Sequence, residues 1–87
     1  MIKLDLNKDT RISRDIINGQ MRVTTSSEKF EQLKQADFST EIRVYNHDNY
    51  GRGIKYLHCT VSEIELPVRN VYQNHSGRVW LNIKHIV

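Results

Sequence analysis

Strict alternation of apolar and polar residues marks the segment 77–84 near the end of the chain. Val79, Leu81 and Ile83 occupy every second position in it. Successive side chains of a strand point to opposite sides, so this pattern predicts a strand with one side in a core. The other side of that strand carries Arg78, Trp80, Asn82 and Lys84.

The only tryptophan of the chain therefore stands between cations on the polar side of a predicted strand. An indole ring held on a sheet beside cations can stack on an unpaired nucleic-acid base. The alternative is that Trp80 covers a second small core or a dimer contact, with Arg78 and Lys84 as its solvated rim.

The same period of two predicts the other strands. They cover residues 2–6, 20–25, 38–45, 54–61 and 68–73, and 62–66 either continues the fourth of these or forms a short strand of its own. Polar turns are predicted at 46–53 and 74–77, because Asn, Asp and Gly tolerate the backbone angles of turns.

A polar cluster at residues 25–28 predicts the start of the main helix. Small hydroxyl side chains accept the free N–H groups of a first helical turn, and an acidic residue favours its positive end. Phe30, Leu33 and Ala36 then recur three residues apart and form one apolar stripe. The pattern predicts a helix over about residues 27–36 that packs on a sheet through this stripe.

Residues 11–18 are predicted to form a second, short helix capped by Thr10. Ile12 and Ile16 lie about one helical turn apart, and Gly19 is suited to end the helix. An irregular loop is the alternative for this segment.

These elements predict an α+β fold in a single domain, residues 1–87. The leading architecture is a twisted, mostly antiparallel β-sheet with the main helix packed on it, and a small OB-like β-barrel is the alternative. A chain of 87 residues, 38% of them hydrophobic, buries only about 60% of its unfolded surface. A homodimer that shares this thin core is therefore expected.

Cysteine content and hydropathy exclude several classes of protein. The single cysteine, Cys59, cannot form an internal disulfide, and the chain has no paired Cys or His spacing for zinc. His58, His75 and His85 are expected at the surface, so neither a metal nor a cofactor is expected. No apolar run approaches the roughly 18 residues of a membrane span, and the N-terminus lacks a signal-peptide stretch. A cytoplasmic protein that does not contact membranes is expected.

Positive charge is concentrated in the second half of the chain. Residues 1–41 carry seven Lys/Arg and seven Asp/Glu, whereas residues 42–87 carry six Lys/Arg and three Asp/Glu. Cations recur with aromatic rings on outward strand positions of this half and in its first loop. If its strands are neighbours, this predicts a nucleic-acid-binding surface, and ordinary solubilising charge is the alternative. The predicted binding residues are Arg43, Tyr45, Tyr50, Arg52, Lys55, Arg78, Trp80 and Lys84.

The loop at 47–53 is the candidate for catalysis. His47, Asp48 and Arg52 could act as base, orienting group and phosphate clamp in RNA cleavage. The same residue types are typical of any exposed hairpin loop, and the chain has neither paired carboxylates nor a phosphate-binding glycine loop. We therefore expect that the protein is not an enzyme, with a small ribonuclease as a lesser alternative.

The chain as a whole resembles the small accessory proteins of tailed bacteriophages. It is short, rich in Asn, Ile and Lys, and poor in Pro and Cys. The resemblance implies a protein of the host cytoplasm that binds nucleic acid, or that binds and blocks a host enzyme such as a defence nuclease or a toxin.

The sequence thus favours a small, basic, non-catalytic protein that binds RNA or another single-stranded nucleic acid. Its role would be to sequester RNA, or to inhibit a host nuclease, toxin or RNA-processing enzyme together with RNA. The alternative is a protein–protein inhibitor or adaptor that binds an acidic partner without nucleic acid.

Overall fold

Short strands joined by turns wrap the chain into a closed β-barrel with one helix. The computed structural model describes residues 1–6, 8–46, 56–65 and 77–86, and within them the barrel has six strands. In chain order the elements are β1 (Ile2–Leu6), β2 (Thr10–Ile17), β3 (Gln20–Thr25), α1 (Ser27–Gln35), β4 (Ile42–Asn46), β5 (Tyr56–Glu65) and β6 (Gly77–Ile86). Around the barrel the order is β1-β2-β3-β6-β5-β4, and β4 is joined back to β1.

Closure of the sheet depends on β1, which pairs with a strand on each side. It lies parallel to β4 along its whole length, and it meets β2 through the single pair Leu6 and Thr10. The other four strand pairings of the described residues are antiparallel. The mostly antiparallel sheet and the single main helix were predicted correctly. The sheet closes on itself, which agrees with the alternative prediction of a small OB-like barrel.

The segment predicted as a short helix over residues 11–18 is a strand, so that prediction was wrong. Asn18 and Gly19 have positive φ angles of 54° and 75°, and they form the two-residue turn between β2 and β3. Asn-Gly is a favoured pair for such a turn, because both central positions need left-handed backbone angles. Gly19 therefore reverses a β-hairpin and does not end a helix.

Replacing Gly19 with alanine is expected to lower the free energy of unfolding by about 1 kcal/mol, because an L-residue is strained at this φ. Apart from the chain neighbours, no atom lies within 4 Å of the added methyl group, so the cost is conformational. Urea unfolding followed by Trp80 fluorescence measures it. Asn18→Gly is the matched control, since glycine tolerates a φ of 54°. An equal loss in both variants would contradict this account of the turn.

The fourth strand begins at Ile42, later than the predicted range 38–45. Asp37 holds the preceding residues in a turn, because its carboxylate accepts hydrogen bonds from the backbone N–H and the hydroxyl of Ser39. The same bonds keep the pKa of the Asp37 carboxyl below its usual value. Phe38 is 85% exposed in this turn, so its place in the alternating pattern does not reflect burial.

The last two strands extend further than predicted. β5 continues through Glu65 past an irregularity near Ser62, which confirms that the segment after Val61 prolongs the strand. β6 likewise continues to Ile86. The predicted strand 68–73 and all but the ends of the two predicted turns lie outside the described residues.

The main helix matches its prediction to within one residue. The hydroxyl of Ser26 accepts the backbone N–H of Lys29 at 3.3 Å and caps the first turn. The apolar stripe buries Phe30 and Leu33 against the barrel. These side chains cover one end of the core, so α1 contributes to the same apolar cluster as the strands.

The core consists of the inward positions of the strands together with the helix stripe. Val79 and Leu81 are fully buried and Ile83 is partly buried, which confirms the predicted alternation of the last strand. Among the described residues the buried apolar side chains are Leu4, Met21, Val23, Phe30, Leu33, Ile42, Val44, Cys59, Val79 and Leu81. The outward positions of the same strands are left for binding.

Candidate nucleic-acid interface

Two tyrosines and an arginine lie together on the outer side of β4 and β5. Tyr45 and Tyr56 are opposite each other in register, and their ring centroids are 5.3 Å apart. The guanidinium carbon of Arg43 lies 4.4 Å from the centroid of the Tyr56 ring. All three residues are half-buried, so their rings and cation are held by packing while part of each surface stays accessible.

Two histidines and a lysine continue this cluster around the barrel. His58 pairs with Arg43 on one side and with His85 on the other, and the two imidazole rings meet edge to face at 4.8 Å. Beyond β4, the exposed Lys3 lies opposite Arg43. One row across four strands thus carries four basic side chains. We call the surface formed by Lys3, Arg43, Tyr45, Tyr56, His58 and His85 the tyrosine face.

An acidic neighbour orients the arginine of the tyrosine face. Arg43 forms an ion pair with Glu41 two residues earlier. This hydrogen bond raises the pKa of the Arg43 guanidinium above its usual value and lowers the pKa of the Glu41 carboxyl. The guanidinium is thereby positioned over Tyr56 while much of its charge is compensated. The face is consequently more aromatic than cationic.

The predicted tryptophan site forms a separate cluster on the outer side of β6. Trp80 is half-buried, and its indole N–H donates to the carboxylate of Glu65 at 2.8 Å. The guanidinium carbon of Arg22 lies 5.7 Å from the ring centroid, and one of its nitrogens is 3.6 Å from the same carboxylate. Another nitrogen of this guanidinium donates to the hydroxyl of Ser13 at 3.1 Å. We call Ser13, Arg22, Glu65 and Trp80 the tryptophan cluster.

The predicted site residues do not form one continuous surface, because the expected strand adjacency was wrong. β5 lies between β4 and β6, so the strand of Arg43 and Tyr45 does not touch the strand of Trp80. Along β6, five residues separate Trp80 from His85, a distance of roughly 16 Å at the usual rise of a strand. The structure therefore divides the prediction between the tyrosine face and the tryptophan cluster.

The remaining predicted residues fall into two groups. Arg78 lies opposite Glu65 and is exposed, and Lys84 is exposed beside the histidine pair. Tyr50, Arg52 and Lys55 lie outside the described residues, as do His47 and Asp48 of the ribonuclease hypothesis.

Sequence reasoning missed three residues of these clusters, namely Arg22, Tyr56 and His58. Arg22 occupies an outward position of a correctly predicted strand, but its proximity to Trp80 follows only from the pairing of β3 with β6. Tyr56 and His58 flank Leu57 in a segment that looked apolar on both sides. Alternation about the buried Cys59 was the available signal for their outward direction.

Neither metal binding nor thiol chemistry is indicated by the described part of the chain. Within it, no group of three or more His, Cys, Asp or Glu side chains is placed to hold a metal ion. Cys59 is buried in the core, and burial raises the pKa of its thiol to about 11. A thiol in this state is protonated near neutral pH, and it is a core side chain.

Comparisons with known proteins leave the function to be argued from these clusters. Neither protein-family models, nor curated proteins, nor solved structures match the chain. Over the described ranges, the helix present is not long and apolar enough to cross a membrane.

Proposed function

We propose that the protein binds single-stranded nucleic acid, in the first place RNA, on the tyrosine face and without catalysis. The observation that carries the proposal is the placement of Arg43 over Tyr56, beside the ring of Tyr45. A small barrel supports many functions, so the inference depends on this face and not on the fold.

The tyrosine face has the two components that single-strand binding requires. Base stacking on an aromatic side chain contributes about 1–3 kcal/mol per base and tolerates any base sequence. Tyr45 and Tyr56 stand on paired strands, so little side-chain freedom is lost when a base stacks on them. Lys3 and Arg43 lie in the adjacent row and can meet phosphate groups. Unpaired bases are exposed in single strands and RNA loops, which favours them over duplex DNA.

The tryptophan cluster is the weaker of the two candidate surfaces. The indole N–H of Trp80 is engaged by Glu65, and the ring is already flanked by Arg22. Glu63 lies opposite Trp80 in register, so two carboxylates stand near the position that a phosphate would take. Like charges repel, and this acidic side makes the cluster a poorer place for a nucleic-acid strand.

Replacing Tyr56 with alanine is expected to weaken binding of a labelled single-stranded RNA roughly 10- to 100-fold, because one stacking platform is lost. Fluorescence anisotropy of nuclease-treated protein measures it. Phe38→Ala is the matched control, since Phe38 is an exposed aromatic residue in the turn before β4. Raising the salt from about 50 to about 200 mM should weaken wild-type binding roughly tenfold if about two or three phosphates are contacted.

The other variants separate the proposal from its alternatives. Trp80→Ala and Arg78→Ala test the tryptophan cluster, and a loss there with full binding by Tyr56→Ala would contradict the tyrosine face. Absence of wild-type binding at low salt would overturn the proposed function and favour a protein partner. Cleavage of the RNA by the wild-type protein, lost in His47→Ala, would instead indicate a ribonuclease.

The biological role follows from this binding activity as part of the same proposal. A non-catalytic protein that covers single-stranded RNA would sequester it, or would inhibit a host nuclease or RNA-processing enzyme that needs the same strand. Capture of such an enzyme that disappears on nuclease treatment would support a role through shared RNA.

A further inference from the structure

The second strand has an edge that the rest of the barrel does not use. On one side β2 pairs with β3 from Thr10 to Ile17. On its other side the pairing with β1 consists of Leu6 and Thr10 alone. Over the described residues, the backbone beyond Thr10 therefore has a strand on one side only. Such an edge is a template for pairing with another chain.

Exposed isoleucines are concentrated along this strand. Ile12, Ile16 and Ile17 have exposed fractions of 43%, 54% and 56%. The only other large apolar side chains exposed to this degree in the described part of the chain are Met1 and Phe38. Three β-branched residues on one edge strand form an apolar surface that is well suited to β-pairing.

We propose that two copies of the chain associate through antiparallel pairing of their β2 edges. Two identical antiparallel strands related by a two-fold axis must have one residue opposite itself, because paired residues share a side of the sheet. With Ser13 at the axis, Arg11 of each copy lies opposite Asp15 of the other. With Arg14 at the axis, the two Arg14 side chains face each other and repel.

Charge complementarity therefore selects both the occupant and the register. The strand carries Arg11 and Arg14 before its centre and Asp15 after it, so its charge pattern matches its own reverse in the Ser13-centred register. Opposite charges directly across a pair of antiparallel strands are favourable, whereas like charges are unfavourable. Isoleucines from both copies would then be covered at the junction.

This interface leaves the tyrosine face accessible. In the barrel order, β1 separates β2 from β4, and β3 and β6 separate β2 from β5. The proposed dimer thus carries two tyrosine faces without requiring them for its formation. Dimerisation is independent of the proposed nucleic-acid binding, and either can fail without the other.

Sedimentation equilibrium of the purified full chain tests the interface. The wild-type chain is expected to dimerise, and Arg11→Asp or Asp15→Arg alone should weaken the dimer at least tenfold by placing like charges opposite each other. An equimolar mixture of the two variants should recover dimers, because each mixed pair again places opposite charges together. Lys8→Asp, at an exposed position outside β2, is the control and should dimerise like wild type.

Three results would overturn the proposal. A monomeric wild-type chain would exclude the dimer, wild-type affinity in both single variants would exclude this edge, and a mixture that stays monomeric would exclude the Ser13-centred register. Arg11 and Asp15 are exposed, so both variants are expected to keep the wild-type circular dichroism and unfolding midpoint.

Discussion

The variant Gly77→Ala is expected to lose about 3 kcal/mol of folding stability, a large fraction of the total for a domain of this size. Gly77 is the first residue of β6 and is buried beneath α1. A methyl group added to it would overlap the ring of Phe30, which packs directly on the glycine. The helix would have to move away from the barrel or the ring would have to leave its position.

A double-variant experiment identifies the cause of this loss. Urea unfolding of Gly77→Ala, Phe30→Leu and the double variant measures the coupling between the two positions. Because leucine has no ring at the overlapping position, we expect alanine at 77 to cost much less when leucine occupies position 30. Additive losses in the double variant would contradict the steric explanation. Gly19→Ala provides a contrast, since its cost is one of backbone conformation alone.

Truncation of Leu33 to alanine is expected to cost about 3–4 kcal/mol. Its side chain is fully buried where α1 packs on the barrel, so the change removes apolar contacts and leaves a cavity. The unfolding midpoint in urea should fall with an unchanged slope, because the surface exposed on unfolding is nearly the same.

Gln32→Ala is the matched control for the packing of the helix. Gln32 occupies the exposed side of α1, and alanine has at least as high a helix propensity, so its stability should be unchanged or slightly higher. A loss for Leu33→Ala that is no larger than the effect of this control would show that α1 does not pack on the barrel as described.

The tyrosine face and the proposed dimer edge have different physical bases. Stacking on Tyr45 and Tyr56 uses side chains on the outer surface of paired strands. Association through β2 uses backbone groups and isoleucines at a strand edge. Sequence changes at Arg11 should therefore alter the oligomeric state without removing the stacking platform, and changes at Tyr56 should do the reverse.

The β2–β3 hairpin shows how two local signals can compete. Ile12 and Ile16 have a spacing that suits a helix, whereas Asn18 and Gly19 form a pair that suits a hairpin turn. A helix of eight residues is marginal by itself, and pairing with β3 satisfies the same backbone groups along a longer contact. Giving the Asn-Gly pair more weight would have predicted this strand.

The sequence by itself determined the elements whose signal is local and repeated. Ser26 together with the stripe of Phe30 and Leu33 specifies α1, since capping and a period near 3.6 operate within one segment. The alternation of Val79 and Leu81 likewise specifies which side of β6 is buried and leaves Trp80 on the other side.

Only the tertiary structure decided how these elements meet. The pairing of β1 with β4 closes the barrel, and the position of β5 separates Tyr45 from Trp80. Strand neighbours are selected by the packing of the whole core, and period-two patterns are nearly identical for every possible neighbour. For that reason Tyr56 could be recognised beside Arg43, and Arg22 beside Trp80, only after the strand order was known.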